Sequence, residues 1–301
     1  MLEHITYYGI RRIDPEHAAR FMPGDEIVIE EKIDGANASF QYDEQGDILA
    51  AFSHHHPLDA DNDLRGFYGF VQSLDKDKVK EVLGSNIRLF GEWLVQHKVK
   101  YPEERYNKFY CFDALDTVNN RYLPQREVMK IAEKLELPFV PVLFEGVFTN
   151  WNDYASLVGK TMLGGTEGEG IVIKNMSRLD TIHLGYIKIV QDRFKEFKAK
   201  RPHKKHLNES SNSLAATIVT RARVEKLLLK LVDEGILPEN WSIKDMDTIR
   251  KNIPKRIYKD CVKEENDTVQ QCEDFGKHAN KLSINFVKEI ISEKTGVNSI
   301  L

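Results

Sequence analysis

The chain has 301 residues, of which 41% are hydrophobic and 30% are charged, and its formal net charge is −4. This length and apolar content allow two domains with proper cores, and no stretch approaches the roughly 20 apolar residues that a membrane-spanning helix needs. The acidic start at Met1–His4 lacks an apolar run, so we expect no signal peptide and no membrane association. The three cysteines are widely spaced without a zinc pattern, which favours a reducing, cytoplasmic location.

The first strongly patterned strand, Ile27–Glu31, is β-branched and acidic and ends at Lys32. Gly35 interrupts it, and an extended pattern resumes at Ala38–Tyr42. A free lysine has a pKa of about 10.4, so an amine at the strand end would be a nucleophile only in a pocket that favours its neutral form. We therefore expect cations beside this amine. The run Lys32–Gly35 alone is weak evidence, because average residue usage produces Lys-x-Asp-Gly in roughly one chain in fifteen of this length.

Four later strand-like segments each carry charged residues. Leu89–Leu94 encloses a glutamate, and Phe109–Asp113 is an aromatic strand that ends in an acid. Taken singly, these two segments also fit a satisfied buried carboxylate and an ordinary half-buried strand. Glu167–Lys174 combines a glycine-rich entry, a carboxylate and a terminal cation. Tyr186–Val190 places a lysine in mid-strand, where burial is unfavourable unless its head faces a cavity or an anion.

The order of these segments resembles the motif set of the covalent nucleotidyltransferase superfamily, which comprises DNA ligases, RNA ligases and mRNA capping enzymes. Within that superfamily the chain is most similar to the RNA ligase 2 family. The resemblance is strong over about residues 1–200 and looser beyond. The residues that carry it are Lys32-x-Asp34-Gly35 with Asn37, Phe90-Gly91-Glu92, Phe112-Asp113, Glu169-Gly170-Ile171-Val172-Ile173-Lys174, and Lys188.

The resemblance implies a three-step reaction. Lys32 would attack the α-phosphorus of ATP and form lysyl-AMP, AMP would move to the 5′-phosphate of an RNA strand, and a 3′-hydroxyl would displace it. Phosphoryl transfer needs positioning and charge stabilisation, so Mg²⁺ or Mn²⁺ is implied. By the same resemblance, Glu169 would hold the metal as a hard oxygen ligand, and Lys174 and Lys188 would be catalytic cations at the phosphates.

The resemblance also implies a nucleotide pocket. Glu92 would hydrogen-bond the ribose, and the ring of Phe112 would stack on adenine, with the adjacent aspartate behind the stack. The backbone at Glu31 and Ile33 would read the adenine edge. Asn37 would lie near a second metal or the RNA end.

One departure from the family pattern affects the phosphate site. The family has a second lysine two residues after the one matched by Lys188, where this chain has Val190. Arg193 and Lys195 follow directly and would supply the missing charge, or contact RNA as part of the basic run His183–His206. A solvated helix face is the alternative interpretation of that run.

A second departure lies in the segment Ser53–Pro57, where the family usually has an arginine. We expect His54 to replace that arginine at the nucleotide. A metal site is the alternative, but three consecutive histidines on a strand cannot all face one point.

The polar stretch Arg201–Ser213 predicts a domain boundary. We expect an α+β nucleotidyltransferase domain at residues 1–205, built like a ligase adenylation (ATP-grasp-like) domain from antiparallel sheets with flanking helices, and an all-helical domain at residues 206–301. Helices are predicted from Ile218 to a C-cap at Gly235, over Ser242–Asn252, and again from Pro254. DNA ligases and capping enzymes carry an OB-fold here instead, with short alternating strands that residues 214–301 lack.

The partner that the resemblance implies is RNA with 5′-phosphate and 3′-hydroxyl ends, in a nicked duplex, bound by a monomer. In the helical domain Arg221, Arg223 and the basic segment Lys251–Lys259 are candidate RNA contacts. Two alternatives stay open: a DNA or RNA-templated DNA ligase with the same chemistry, and a non-catalytic nucleotide- or RNA-binding homologue. Covalent labelling by ATP distinguishes the last of these from the ligases.

Overall fold

The computed structural model of the protein describes residues 2–177, 185–191 and 211–294. The chain divides into two compact units, Met1–Gln191 and Asp192–Leu301. Two sheets in the first unit and helices in the second confirm the predicted α+β class with a helical C-terminal part. The predicted boundary between residues 205 and 206 lies outside the described residues and stays a prediction.

Ten named strands form two sheets of five. In chain order they are β1 (Arg11–Arg12), β2 (Glu26–Lys32), β3 (Ala36–Asp43), β4 (Ile48–Ser53), β5 (Ile87–Trp93), β6 (Phe109–Asp116), β7 (Arg121–Tyr122), β8 (Val142–Val147), β9 (Gly170–Asn175) and β10 (Tyr186–Val190). The first sheet has the order β1-β10-β9-β2-β8, and the second has the order β4-β3-β5-β6-β7. Their pairs are antiparallel except β1–β10, which is parallel.

The first sheet has one apolar and one charged face. Successive side chains of a strand point to opposite faces, so Ile27 and Ile29 of β2 lie opposite Glu30 and Lys32. The isoleucines form a buried core with those of β9 and β10. The charged face of this sheet therefore carries the predicted nucleophile.

Helices cover the second sheet on one side. The helices of the first unit are α1 (Pro15–Ala18), α2 (Phe67–Ser73), α3 (Lys76–Leu83) and α4 (Gln125–Lys134), with 3₁₀ turns at Glu103–Arg105 and Trp151–Leu157. Alternate residues of β3, including Ala38 and Phe40, pack with Phe67 and Val128 of the helices into one core. The opposite face of the sheet is left for polar and aromatic residues.

The second unit is helical, as predicted. It contains α5 (Ser211–Ile218), α6 (Arg221–Asp233), α7 (Met246–Gln270) and α8 (Phe275–Lys294), with a 3₁₀ turn at Ile243–Asp245. Gly235 follows α6 with a φ of 68°, which confirms the predicted C-cap. The helix break predicted before Pro254 is wrong, because Pro254 lies inside α7, and the non-helical backbone occurs at Glu265 instead. Within the described ranges, none of the helices has the length and apolar character required to span a bilayer.

The spacing between β9 and β10 requires glycine at one position. A Cβ on Gly170 would lie 2.1 Å from the carbonyl oxygen of Ile189 and 2.8 Å from the Cα of Val190. Both are backbone atoms, so the strands would have to separate. We expect Gly170→Ala to reduce the free energy of unfolding by about 1–3 kcal/mol, measured by urea denaturation.

Gly69→Ala is the matched control for this substitution. Gly69 lies inside α2, and nothing approaches the position of its added Cβ within 4 Å. Alanine should stabilise the helix there by up to about 1 kcal/mol. Equal urea midpoints for Gly170→Ala and the wild type would contradict the close strand approach.

Candidate active site

Strand register places Lys32 and Lys188, two of the three predicted catalytic lysines, on one face of the first sheet. Lys32 pairs with Gly170, and Gly170 pairs with Val190 in the next strand. Two residues further along β9, Val172 pairs with Lys188. Directly paired residues share a face of a sheet. Lys188 therefore projects from the same face as Lys32, and Val190, where the family has a lysine, lies in the row of the nucleophile.

The ammonium of Lys32 is held by a carboxylate. Its Nζ donates to Oε2 of Glu169 at 2.5 Å, and both side chains are largely buried. Burial lowers the pKa of Lys32, but the charges of Glu169, Glu92 and Asp34 outweigh it and raise the pKa above its ordinary value. The expectation of a pocket in which cations favour the neutral amine is therefore wrong. In this structure carboxylates keep the amine charged.

The second sheet contributes three predicted nucleotide contacts that lie together. Asn37 of β3 pairs with Glu92 of β5, and Nδ1 of His54 lies 3.4 Å from Oδ1 of Asn37. The backbone N–H of Gly35 donates to Oε1 of Glu92 at 3.1 Å. Burial raises the pKa of Glu92 to about 7, against the opposing charges of Lys32 and a neighbouring histidine. The two sheets thus bring Glu92 close enough to Lys32 for their charges to interact.

The aspartate of the Lys-x-Asp-Gly run holds a neighbouring segment. Oδ2 of Asp34 accepts hydrogen bonds from the backbone N–H groups of Lys98 and Val99, each at 2.8 Å. Oδ1 lies 3.5 Å from Nδ1 of His97. Burial would raise the pKa of Asp34, but the hydrogen bond and charge of His97 hold it at about 2. Sequence reasoning missed His97, because a lone histidine after a strand carries no motif.

Phe112, the predicted adenine-stacking residue, lies on a β-bulge. Phe90 pairs with Asp113 and Gly91 pairs with Cys111, so Phe112 is an extra residue without a ladder partner. Its ring centroid lies 4.9 Å from that of Tyr7. Bulges re-aim side chains, often next to active sites. The bulge therefore explains why this ring leaves the regular alternation of β6.

Lys174 lies in a different environment from the one predicted. Its Nζ lies 2.9 Å from Oε2 of Glu30 and 3.2 Å from Oδ2 of Asp113, and it donates to the carbonyl oxygen of Phe112 at 2.7 Å. The side chain is only 1% exposed. The structure thus corrects the prediction that Lys174 contacts phosphate, because protein acceptors already occupy its ammonium.

Lys32 of the first sheet and Glu92 of the second sheet lie close enough for their charges to interact. The sequence model of the RNA ligase family matches residues 25–195. The chain belongs to the RNA ligase family. No curated protein matches it.

Among solved structures, this RNA ligase family member is similar to the RNA ligase of Naegleria gruberi with pyrophosphate. The identity is 16% and the TM-score 0.46, over 63% of this chain and 57% of that one. A mutant of that enzyme with ATP and Mn matches at 16% identity and a TM-score of 0.46, over 63% and 57% of the two chains. Another mutant, with AMP and Mn, matches at 16% and 0.44, over 62% and 57%. The chain thus spans less than two thirds of the Naegleria chains.

The side chains that flank Lys32 in this RNA ligase family member are engaged or buried within the protein. Glu31 lies on the opposite face of β2 from Lys32, and its Oε2 accepts from the backbone N–H of Met162 at 2.7 Å. Ile33 is buried. Only the backbone of these two residues is therefore available to a nucleotide on the Lys32 side, and a contact with the adenine edge stays a prediction.

The predicted RNA contacts of α6 are already engaged within the protein. Arg223 is fully buried, with Nε 3.1 Å from Oδ2 of Asp260. This corrects its assignment as a direct RNA contact. Arg221 forms two hydrogen bonds of 2.5 Å with the carboxylate of Glu293. The other candidates, Arg193 and Lys195, with the basic run His183–His206, fall in or extend into parts of the chain outside the described residues.

The site suits a divalent cation that takes only one or two protein carboxylates. Within residues 2–177, 185–191 and 211–294, no group of three or more potential ligands is arranged to hold a metal. Glu169 presents a carboxylate beside the nucleophile. Mg²⁺ is commonly held by one or two carboxylates together with water and substrate phosphates. The donor set therefore fits an ion that arrives with a phosphate ligand.

The ion pair generates a prediction about the nucleophile. The charge of Glu169 raises the pKa of Lys32, so Glu169→Gln should lower that pKa. Burial, which favours the neutral amine, then acts against fewer carboxylate charges. Acetylation of Lys32, quantified by mass spectrometry across pH, should then begin at lower pH than in the wild type. Glu104→Gln, an exposed control, should leave the profile unchanged. Identical profiles for Glu169→Gln and the wild type would refute the role of the ion pair.

Proposed function

We propose that this protein is an ATP-dependent RNA ligase that works through a lysyl-AMP intermediate on Lys32. The observation that supports the proposal is the largely buried ion pair of Lys32 with Glu169, within range of the charge of Glu92, in a member of the RNA ligase family. The Nζ of Lys32 would form a bond to the α-phosphorus of ATP as the bond to pyrophosphate breaks, and the amine would release its proton. AMP would then pass to an RNA 5′-phosphate and leave when a 3′-hydroxyl attacks.

The ion pair of Lys32 defines what must happen before attack. The amine donates to Glu169 at 2.5 Å and is charged, so it has no lone pair for phosphorus. When Glu169 pairs with another cation instead, burial favours the neutral form of the Lys32 amine. A bound Mg²⁺ or Mn²⁺ would neutralise phosphate charge, and Glu169 is the residue that would hold it. Lys188, on the same face, would bind phosphate oxygens.

The first test is covalent labelling. With ATP labelled at the α-phosphate and Mg²⁺ or Mn²⁺, the protein should carry radioactive AMP through denaturing electrophoresis. Lys32→Ala should abolish the label, and Lys32→Arg should fail equally because a guanidinium stays protonated. Lys134→Ala, at an exposed position of α4, should label normally. Full labelling of Lys32→Ala would show that the nucleophile is another residue.

The same assay separates the alternatives. A non-catalytic binding protein would bind ATP without forming the adduct. A DNA ligase of the same chemistry would form the adduct but seal nicks with a DNA 3′-hydroxyl strand as fast as those with RNA. We expect sealing of nicked duplex RNA, because the family of the chain is that of RNA ligases.

We also propose that the two domains divide the work, with adenylylation in residues 1–205 and RNA holding in residues 206–301. The support comes from one face of α7. Arg250, Lys251, Lys255 and Lys259 are exposed, and none forms an ion pair or hydrogen bond with another described residue. The three lysines recur every four residues, which places them about 6 Å apart along the helix. Tyr258 lies between them and is 45% exposed.

Such a stripe fits a phosphate backbone better than Arg221 and Arg223 do. An unpaired ammonium can release counterions when it meets phosphate, whereas an arginine already bound to carboxylates must first give up those partners. Asp247 lies one turn before Lys251 and marks the end of the basic stripe. The aromatic ring of Tyr258 adds a surface on which an unpaired base would stack.

The stripe generates a prediction about salt dependence. Replacing Lys251, Lys255 and Lys259 together by glutamine should weaken binding of nicked duplex RNA. The slope of log K against log salt concentration should fall by about 2.7, since each phosphate contact contributes about 0.9. Fluorescence anisotropy at several salt concentrations measures both quantities. Lysyl-AMP formation should be unchanged.

A matched triple variant tests whether the effect is specific to α7. Lys108, Lys130 and Lys134 are exposed lysines of the first unit, and their replacement by glutamine removes the same charge. This control should retain most of the affinity and salt dependence. If both triple variants lose affinity equally, net charge rather than the α7 stripe determines binding.

A further inference from the structure

We propose that the hydroxyl group of Tyr7 positions the ring of Phe112 through a buried polar cluster, so that the N-terminal segment forms part of the adenine pocket. This inference rests on the proposed function, which assigns adenine stacking to Phe112. The cluster, called the Lys174 cluster below, consists of Tyr7, Glu30, Asp113, Gln125, Lys174 and Tyr186. In this role Lys174 and Tyr7 are positioning residues and do not touch substrate.

A continuous series of contacts joins the tyrosine to the bulge. The hydroxyl of Tyr7 donates to Oδ2 of Asp113 at 2.5 Å. The same oxygen lies 3.2 Å from Nζ of Lys174. That ammonium donates to the carbonyl oxygen of Phe112 at 2.7 Å, and Nε2 of Gln125 donates to the same carbonyl at 3.2 Å. Two side chains, Asp113 and Lys174, thus link Tyr7 to the backbone that carries the stacking ring.

The bulge makes these contacts necessary. A bulged residue has no ladder partner, and an unpaired buried carbonyl group is unfavourable. Lys174 of β9 and Gln125 of α4 both donate hydrogen bonds to the carbonyl oxygen of Phe112. Because a bulge is otherwise free to shift, the two donors determine where the ring lies. Tyr7 also packs on that ring, with centroids 4.9 Å apart, and on Phe90 at 5.2 Å.

The charges of the Lys174 cluster make it sensitive to the loss of one donor. Two carboxyl groups, Glu30 and Asp113, share one ammonium in a site from which water is excluded. Burial raises the pKa of Glu30 to about 7 and also raises the pKa of Asp113, against the charge of Lys174. If Tyr7 no longer donates to Asp113, Lys174 becomes its principal partner. We expect the ammonium to shift towards Asp113 and to hold the Phe112 carbonyl less firmly.

Tyr7→Phe tests the inference because it keeps the ring and removes only the hydroxyl group. Single-turnover lysyl-AMP formation is measured against ATP concentration in the full-length protein. The ATP concentration for half-maximal rate should rise by about 5- to 10-fold, within the range expected for the loss of one ordinary hydrogen bond, with the maximal rate within about 3-fold of the wild type. In a Phe112→Leu background the same change should have no further effect, because neighbouring residues that act together are not additive.

Tyr42→Phe is the matched control for a purely structural role. Tyr42 is also buried, and its hydroxyl donates to Asp47 at 2.8 Å, away from the Lys174 cluster. It should lower the thermal midpoint without altering the ATP dependence. Gln125→Met provides a second route, because it removes the other donor to the Phe112 carbonyl and should raise the same ATP concentration.

The outcomes separate the two proposals. A wild-type protein that forms no lysyl-AMP overturns the proposed function. A labelled wild type with unchanged ATP dependence in Tyr7→Phe overturns the positioning role, whatever the result for Gln125→Met, and leaves the proposed function intact. Effects of Tyr7→Phe and Phe112→Leu that multiply independently also overturn it. If Tyr7→Phe fails to fold, the ATP dependence of Gln125→Met decides instead. It is measured in the wild-type background and in the Phe112→Leu background.

Discussion

The ion pair between Lys32 and Glu169 is the interaction around which the site is built. It joins residues 137 positions apart, at the end of β2 and just before the start of β9. Gly170, the residue after Glu169, also allows β10 to approach β9 without a clash. The same approach brings Lys188 onto the face of Lys32. If Lys32 is the nucleophile, as proposed, its amine is inert while Glu169 holds it as a cation, and it becomes reactive only when Glu169 acquires another partner.

The second constraint is the burial of charge between the sheets. Ionised groups are stable in a protein interior only when partners compensate for lost hydration. Lys174 meets this condition through Glu30 and Asp113, and it donates a further N–H to the carbonyl oxygen of Phe112. Under the proposed function, a buried lysine would therefore serve the nucleotide site without touching nucleotide. Its charge stabilises a backbone irregularity, and the irregularity aims an aromatic ring.

The helical unit shows the same distinction between a charge that is present and a charge that is available. The chain as a whole is acidic, with a formal net charge of −4. Arg223 is neutralised inside the core by Asp260, whereas Lys251, Lys255 and Lys259 have no partner among the described residues. Only these three lysines can exchange counterions for phosphate without first breaking an ion pair within the protein. Net charge therefore says less about RNA binding than the distribution of unpaired cations.

The sequence by itself determined the family, the α+β class and the helical C-terminal part, because these depend on motif order and on local periodicity. Tertiary structure alone decided which charges are neutralised. Tyr7 and Asp113 are separated by 106 residues, so no local pattern relates them. For the same reason the sequence placed Lys174 and Arg223 at ligands rather than in the interior. The sequence shows that a residue is charged but does not show its partners, because these are determined by packing between distant strands and helices.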